Sequence, residues 1–374
     1  MSARPLTVVQ ALPRLESGGV ERGTVEVAGE LMRLGHRAIV LSAGGPMVVE
    51  IERAGGEHVT MNVAKKSPLT LATARELRRL LRETHADVLH ARSRVPAWVC
   101  LFALRGMKPD ERPRFVTTVH GLNSVNRYSE IMTRGELVVA VSDAAKRHVT
   151  ESYPLLDPAR VRVIHRGVDP EEYPHGYTPS AQWLERWRND FPQLAGARLL
   201  TTIGRLTRLK GHHEFITLLG GLTEERADVR GLIVGGEDPR RLAYARELRA
   251  RIEREGLSDR VILAGHRSDA REIASISRAV CCLSSTPESF GRTALEALRL
   301  GTPVLGWDHG GVGEILREVY PDGAVPLNDR DALARRASAL IASEKQPVRP
   351  FDAFTKREML EKIIALYEEV AGVA

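Results

Sequence analysis

Arg198-Leu199-Leu200-Thr201-Thr202-Ile203-Gly204-Arg205-Leu206-Thr207-Arg208-Leu209-Lys210-Gly211 is the run on which the fold turns. Residues 198–203 are apolar and β-branched enough to predict a buried strand, and from 211 to 219 apolar side chains recur at helical spacing. A strand passing through a short loop into a helix opens a βαβ unit. It follows a stretch, 169–196, rich in proline, tyrosine, tryptophan and charge, with one short helical segment near 182–189. That stretch reads as an interdomain linker after which the alternation restarts.

Working outward, the same alternation fills both sides. Before the break, strands are expected at 6–11, 38–42, 87–91, 115–119, 137–141 and 161–165, with helices at 20–34, 71–84, 95–104 and 143–151. Gly35 suits the end of the first helix and Ser142 the start of the last. After it, strands are expected at 231–234, 261–264, 279–284 and 303–306. Helices are expected at 240–255, 270–277, 293–300, 312–318, 330–342 and 356–370. Alternation of this kind predicts an α/β chain of two Rossmann-like, doubly wound parallel-sheet domains facing each other across a cleft. The expected division is residues 1–168 and 169–355, with a last helix at about 356–374 packing back on the first domain.

Composition fits 374 residues of soluble, two-domain protein, with 43% hydrophobic and 27% charged residues. Met1-Ser2-Ala3-Arg4-Pro5 runs straight into the first strand with no secretory pattern. Cys100, Cys281 and Cys282 lie in apolar segments and read as small buried hydrophobes of a reducing cytoplasm. The net charge of +6 is uneven: residues 1–168 carry 25 Lys/Arg against 17 Asp/Glu, and the remainder 29 against 31. The basic first half points to an anionic substrate or surface, or to nothing beyond solubility.

Doubly wound sheets bind ligands beyond the carboxyl ends of their strands, so the loops there carry the chemistry. Gly18-Gly19-Val20-Glu21 lets backbone approach a phosphate at a helix start. It is not a dinucleotide fingerprint, and no acidic residue suited to a nicotinamide ribose follows the second strand. Arg205 and Lys210 flank a loop suited to the two charges of a diphosphate. In Ser285-Thr286-Pro287-Glu288-Ser289-Phe290-Gly291-Arg292-Thr293, free N–H groups open a helix, with Glu288 before it and Glu296 inside it.

These blocks, together with Val119-His120-Gly121, Val141-Ser142, Val163-Ile164-His165-Arg166-Gly167-Val168-Asp169 and Gly235-Gly236-Glu237, resemble the family 4 glycosyltransferases, retaining enzymes of the GT-B fold. The stretch from Ser17 to Thr24, with His90-Ala91-Arg92-Ser93-Arg94, is similar to members that build lipopolysaccharide core or other bacterial surface glycans. The resemblance implies roles by position. Arg205 and Lys210 hold the donor diphosphate. Glu288 binds donor-sugar hydroxyls, backbone N–H groups of Phe290, Gly291, Arg292 and Thr293 bind sugar and phosphate, and Ser289 lies among them. Glu296 holds the ribose. Gly265, His266 and Arg267 lie beside the base. Gly18 and Gly19 approach the phosphate, and His120 contacts the transferred sugar as a positioning residue or partial base. Where the family has Asn before Gly-Val-Asp this chain has Arg166, whose role stays open.

The expected reaction is transfer of a hexose from a UDP- or GDP-linked donor. The expected acceptor is a glycan or phosphorylated glycolipid bound by the first domain, with Glu21, Arg92 and Arg94 in contact. No metal or other cofactor is expected, since neither an Asp-x-Asp triplet nor a His/Asp cluster with ligand spacing is read. Basic clusters at Lys65, Lys66, Arg75, Arg78, Arg79 and Arg82, and at Arg105, Lys108, Arg112 and Arg114, suggest peripheral docking on the inner membrane leaflet, or merely a wet helix face. Nucleic acid is not expected, with aromatics at 5%. A nucleotide-sugar epimerase and a non-catalytic sugar binder remain alternatives.

Overall fold

The computed structural model describes residues 4–16, 18–64, 70–236, 242–344 and 347–373. Ser17, Lys65, Lys66, Glu237 and the predicted helix start at Arg240 lie outside the described residues. The chain divides into two units, Met1–Gly167 with Lys356–Ala374, and Val168–Thr355.

The first unit runs β1 (Thr7–Ala11), α1 (Gly19–Arg33), β2 (Arg37–Ser42), α2 (Val48–Arg53), β3 (Glu57–Thr60), α3 (Thr70–Glu83), β4 (Val88–Ala91), α4 (Arg94–Arg105), β5 (Arg114–Val119), β6 (Leu137–Ala140), α5 (Asp143–Ser152) and β7 (Val161–Val163). The second runs α6 (Ala181–Asp190), β8 (Arg198–Ile203), α7 (His212–Glu225), β9 (Val229–Val234), α8 (Leu242–Arg254), β10 (Val261–Gly265), α9 (Ala270–Ile276), β11 (Ala279–Cys282), α10 (Arg292–Arg299), β12 (Val304–Trp307), α11 (Gly310–Val319), β13 (Ala324–Val325) and α12 (Arg330–Ala342). The chain then re-enters the first unit as α13 (Lys356–Ala371).

Both sheets are parallel throughout, in the orders β3-β2-β1-β4-β5-β6-β7 and β10-β9-β8-β11-β12-β13. Each order reverses direction once, between β1 and β4 and between β8 and β11. At such a point the helices leave to opposite faces and open a crevice at the strand ends. The central strands read as unbroken apolar runs because both of their faces are covered: Val8, Val9 and Ala11 of β1, and Val280 and Cys281 of β11, have almost no exposure.

The first core joins β1, β4 and β5 to α1 and takes in Leu360, Ile363, Ile364, Leu366 and Tyr367 of α13. The second is built on Phe215, Leu219, Leu248 and Trp307. A satellite cluster corrects the linker reading. Trp183 and Trp187 of α6 stack with ring centroids 5.2 Å apart and pack with Leu199, Leu232 and Ile273, so the proline-rich stretch carries a helix that covers the second sheet. Two tryptophans on one helical face bury too much apolar surface to serve a tether. Ser180 caps that helix by accepting from the Trp183 N–H, and Ser142 caps α5 by accepting from Ala145.

Candidate active site

In the second unit the predicted residues gather at the carboxyl ends of β8 and β11. Beyond β8 the Lys210 stem lies over Gly204, where an added Cβ would come within 3.3 Å of Lys210 Cε. Gly211 turns the chain with φ +70°, and a Cβ there would meet the Leu283 carbonyl oxygen at 1.7 Å. Only glycine lets the β8 and β11 loops close on each other in this way. The closure carries Lys210 Nζ to 2.9 Å from Glu288 Oε1, and Ser284 Oγ donates to the same oxygen. Thr202 and Cys282 line the small cavity behind the pair. Cys282 is therefore half-buried beside polar groups, unlike the buried Cys100 and Cys281. Burial first, then the Glu288 charge, pushes its thiol up to about 12, so it stays protonated and inert.

Glu288 is held from behind by a feature that the sequence reading missed. α11 begins at Gly310, and the Gly311 N–H donates 2.8 Å to the Glu288 carbonyl. Side chains on Gly310 or Gly311 would strike the Glu288 carbonyl oxygen at 2.6 Å and Phe290 Cα at 2.3 Å. The N-terminus of α11 thus lies against the loop that opens α10, whose N-cap is Gly291 at φ +102°. Two helix N-termini converge on residues 288–293, and both favour negative charge there. Three glycines around Val312, just past an apolar strand, were the available signal.

Other predicted donor residues sit around this centre. Arg292 Nε lies 2.6 Å from Glu296 Oε1, one helical turn on. Phe290 is buried edge-on to Phe354, centroids 6.0 Å apart. Ser289 in the loop and Thr293 in the first turn of α10 are half-buried, and Arg205 is exposed beyond β8. At the end of β10, Gly265 has φ +69° and His266 is exposed beside Gly236. The Arg267 guanidinium is taken up by both oxygens of Asp269, at 2.8 and 2.7 Å, over the rings of Trp187 and Phe191. Any role of Arg267 beside a base therefore falls to its backbone.

An Asp-x-Asp triplet does occur, at Asp329-Arg330-Asp331, where the sequence reading counted none. Asp329 caps α12 by accepting from the Ala332 N–H at 2.8 Å, and Arg330 pairs with Glu214 at 2.7 Å. The triplet serves a helix start.

In the first unit the predicted residues lie at the ends of β1, β4 and β5. Gly18 caps α1, and Glu21 folds back so closely that a Cβ on Gly18 would meet its carboxylate at 2.2 Å. Arg94 opens α4, bonds Ser129 Oγ at 3.2 Å and lies over Tyr128. Arg92 is buried, 5% exposed, and donates to Gln10 Oε1 at 2.9 Å. Its neighbour is the Tyr367 hydroxyl, which lies 2.6 Å from His90 Nδ1. His120 follows β5. Its Nδ1 lies 2.8 Å from Arg166 Nη2, and Arg166 also donates to the Gly19 carbonyl. The guanidiniums of Arg166 and Arg92 come together at Gly23, where a Cβ would sit 3.1 and 3.2 Å from them. Burial, then Arg166, Arg92 and His90, hold His120 well below the usual histidine range.

A cleft of about 890 Å³ opens at the opposite ends of this sheet. Its charges are satisfied mutually, as Arg4–Asp87, Arg82–Glu111 and Arg114–Glu136. Those pairs also occupy part of the predicted basic clusters, and Arg78 packs against the end of α4 through the Ala103 carbonyl. Among the described residues no helix is long and apolar enough to cross a membrane.

Comparison with known proteins follows this division. Residues 17–172 match the model for Glycosyltransferase Family 4, and residues 185–356 the model for Glycosyl transferases group 1. Over 97% of its length the chain is 22% identical to N-acetyl-alpha-D-glucosaminyl L-malate synthase of Bacillus anthracis, covering 95% of that protein. A crystal structure of a glycosyltransferase from Rickettsia africae aligns with a TM-score of 0.84 at 28% identity, over 99% of this chain and all of that one. HepE of Anabaena, solved with UDP and glucose, aligns at 0.75 and 20% identity over 98% and 97%. With both units matched in order by the two family models, the chain belongs to the family 4 glycosyltransferases and has the GT-B fold.

Proposed function

We propose that the chain transfers a hexose, with retention at the anomeric carbon, from a UDP- or GDP-linked sugar to a glycan or phosphorylated glycolipid. The proposed setting is the assembly of lipopolysaccharide core or another surface polysaccharide. The observation that carries the reading is the Lys210–Glu288 pair, set beside the N-termini of α10 and α11.

Breaking the anomeric bond leaves a diphosphate with one more negative charge. Lys210 and Arg205 supply cationic charge, the α10 and α11 starts supply N–H dipoles, and none of these needs a metal ion. Glu288 accepts from the sugar hydroxyls, and its bond from Ser284 holds it in place. Glu296 accepts from the ribose once it exchanges its Arg292 partner for hydroxyl donors. The leaving phosphate takes the proton of the acceptor hydroxyl as the new bond forms on the same face, so no protein nucleophile is required. Glu21, Arg92 and Arg94 belong to the acceptor side. The HepE complex with UDP and glucose supports a uridine donor, and the L-malate in the Bacillus relative's name is in keeping with a cationic acceptor pocket.

The deciding experiment incubates the protein with UDP- and GDP-hexoses, with and without glycan and lipid acceptors, and follows nucleotide release. Acceptor-dependent release that survives a chelator supports the reading, and conversion of donor without acceptor sinks it. Docking on an anionic leaflet is a separate proposal: vesicle sedimentation must depend on anionic lipid, or it fails.

A further inference from the structure

We propose that Arg166 is a positioning residue that fixes His120 as the Nε2–H tautomer, so that His120 enters the reaction as a hydrogen-bond donor and not as a base.

The inference rests on what a guanidinium can do. Arginine has five N–H donors and no acceptor. Arg166 Nη2 stands 2.8 Å from His120 Nδ1, so the Nδ1 lone pair must be the acceptor and the ring proton sits on Nε2. A neutral imidazole has one lone pair. With that lone pair given to Arg166, neither nitrogen can take a proton from an acceptor hydroxyl, and the remaining chemistry of the ring is donation through Nε2.

The surroundings keep the arrangement in place. Arg166 is buried, 9% exposed, and is anchored by its second bond to the Gly19 carbonyl at the start of α1. Gly23, one turn further, leaves room for its guanidinium. Arg92, whose guanidinium meets the same glycine, adds a second positive charge, which opposes an imidazolium. A guanidinium can only donate, so this contact makes the histidine's state compulsory.

The proposal rests on the reading that His120 handles the transferred sugar, and its first test does not. The full chain labelled with ¹⁵N-histidine is examined by long-range ¹H–¹⁵N correlation, with His120 assigned from the spectrum of His120→Asn. The expected result is a pyridine-type Nδ1 and a pyrrole-type Nε2 that do not change between about pH 5 and pH 8, where an ordinary histidine titrates. A proton on Nδ1, or a titration within that window, overturns the lock. In Arg166→Met the His120 signals should move to a mixture of tautomers, and kcat should fall about tenfold to a hundredfold, as when a histidine loses its orienting partner, with KM for the nucleotide sugar nearly unchanged. Arg166→Lys keeps one donor and should restore the single tautomer and most of kcat. Unchanged His120 signals in a folded Arg166→Met overturn the proposal. Full transfer by His120→Ala overturns the reading of the site, whatever the spectrum shows.

Discussion

Lys210 and Glu288 hold each other at 2.9 Å, one from the loop after β8 and the other from the loop after β11. Each is about a quarter to a third exposed, so the bond adds little to stability. Its value is positional, because Lys210 is brought to the helix starts proposed to hold the leaving diphosphate. Lys210→Ala should lower kcat by about a hundredfold to a thousandfold, the range for losing one charge-stabilising donor. The melting temperature should barely move. A Lys210→Ala enzyme with full activity removes this residue from the mechanism.

Gly211 and Gly311 test the scaffold behind that pair. Gly211→Ala forces a methyl group onto the Leu283 carbonyl at a positive φ, and Gly311→Ala forces one into the Phe290 backbone. Each should reduce stability by about 3 kcal/mol, from overpacking in both and, at Gly211, from the positive φ as well. Each should also weaken binding of the proposed UDP- or GDP-linked donor by displacing residues 288–291. Urea unfolding and a nucleotide thermal shift read the two effects. Ala at Gly256, which has open space around it, is the control: its φ of +68° is strained, but no carbonyl is struck.

Stability should fall on mild acidification. His90 and His120 are held well below the ordinary histidine value, and His212 is lowered to about 4, in each case mainly by burial. In the unfolded chain all three titrate near 6.5, so below that pH the unfolded state binds more protons than the folded one. Their contribution is constant above about pH 6.5 and is lost progressively as pH drops toward 4, at about 1.4 kcal/mol per unit per histidine. Denaturation at pH 7 and pH 5 measures the slope, and His212→Gln should make it shallower. An unchanged stability across this interval contradicts the burial of these rings.

Tyr367→Phe isolates the network under Arg92. The variant keeps the ring in the core and deletes the hydroxyl 2.6 Å from His90 Nδ1 and beside the Arg92 guanidinium. With buried groups left short of a partner, the loss should be about 1–3 kcal/mol. The expected signs are a lower urea midpoint and an Arg92-dependent drop in acceptor use. If a double-mutant cycle with Arg92→Met gives strictly additive effects, the two residues are not coupled.

The sequence carried the central strands well, because strands covered on both faces must be apolar along their whole length. It did not carry β3, an edge strand reading Glu57-His58-Val59-Thr60 with half-exposed side chains, nor the two-residue β13, which is too short to show a pattern. α2, at six residues, is equally short. The strand-end loops were legible as places, since glycine and charge after an apolar run are local signals. Partnerships were not: Arg166 meets His120 from 46 residues away, and Arg267 turns to Asp269 under tryptophans that the sequence assigned to a linker.

α13 closes the first core from the far end of the chain, so the second unit is an insert within the first. During synthesis the N-terminal sheet emerges early but must wait, with the groove for Tyr367 and its apolar neighbours open, until the entire insert has left the ribosome. The insert is contiguous and can complete itself in the meantime. A chain stopped at Thr355 would lack the helix that supplies Leu360, Ile363, Ile364, Leu366 and Tyr367 to the first core.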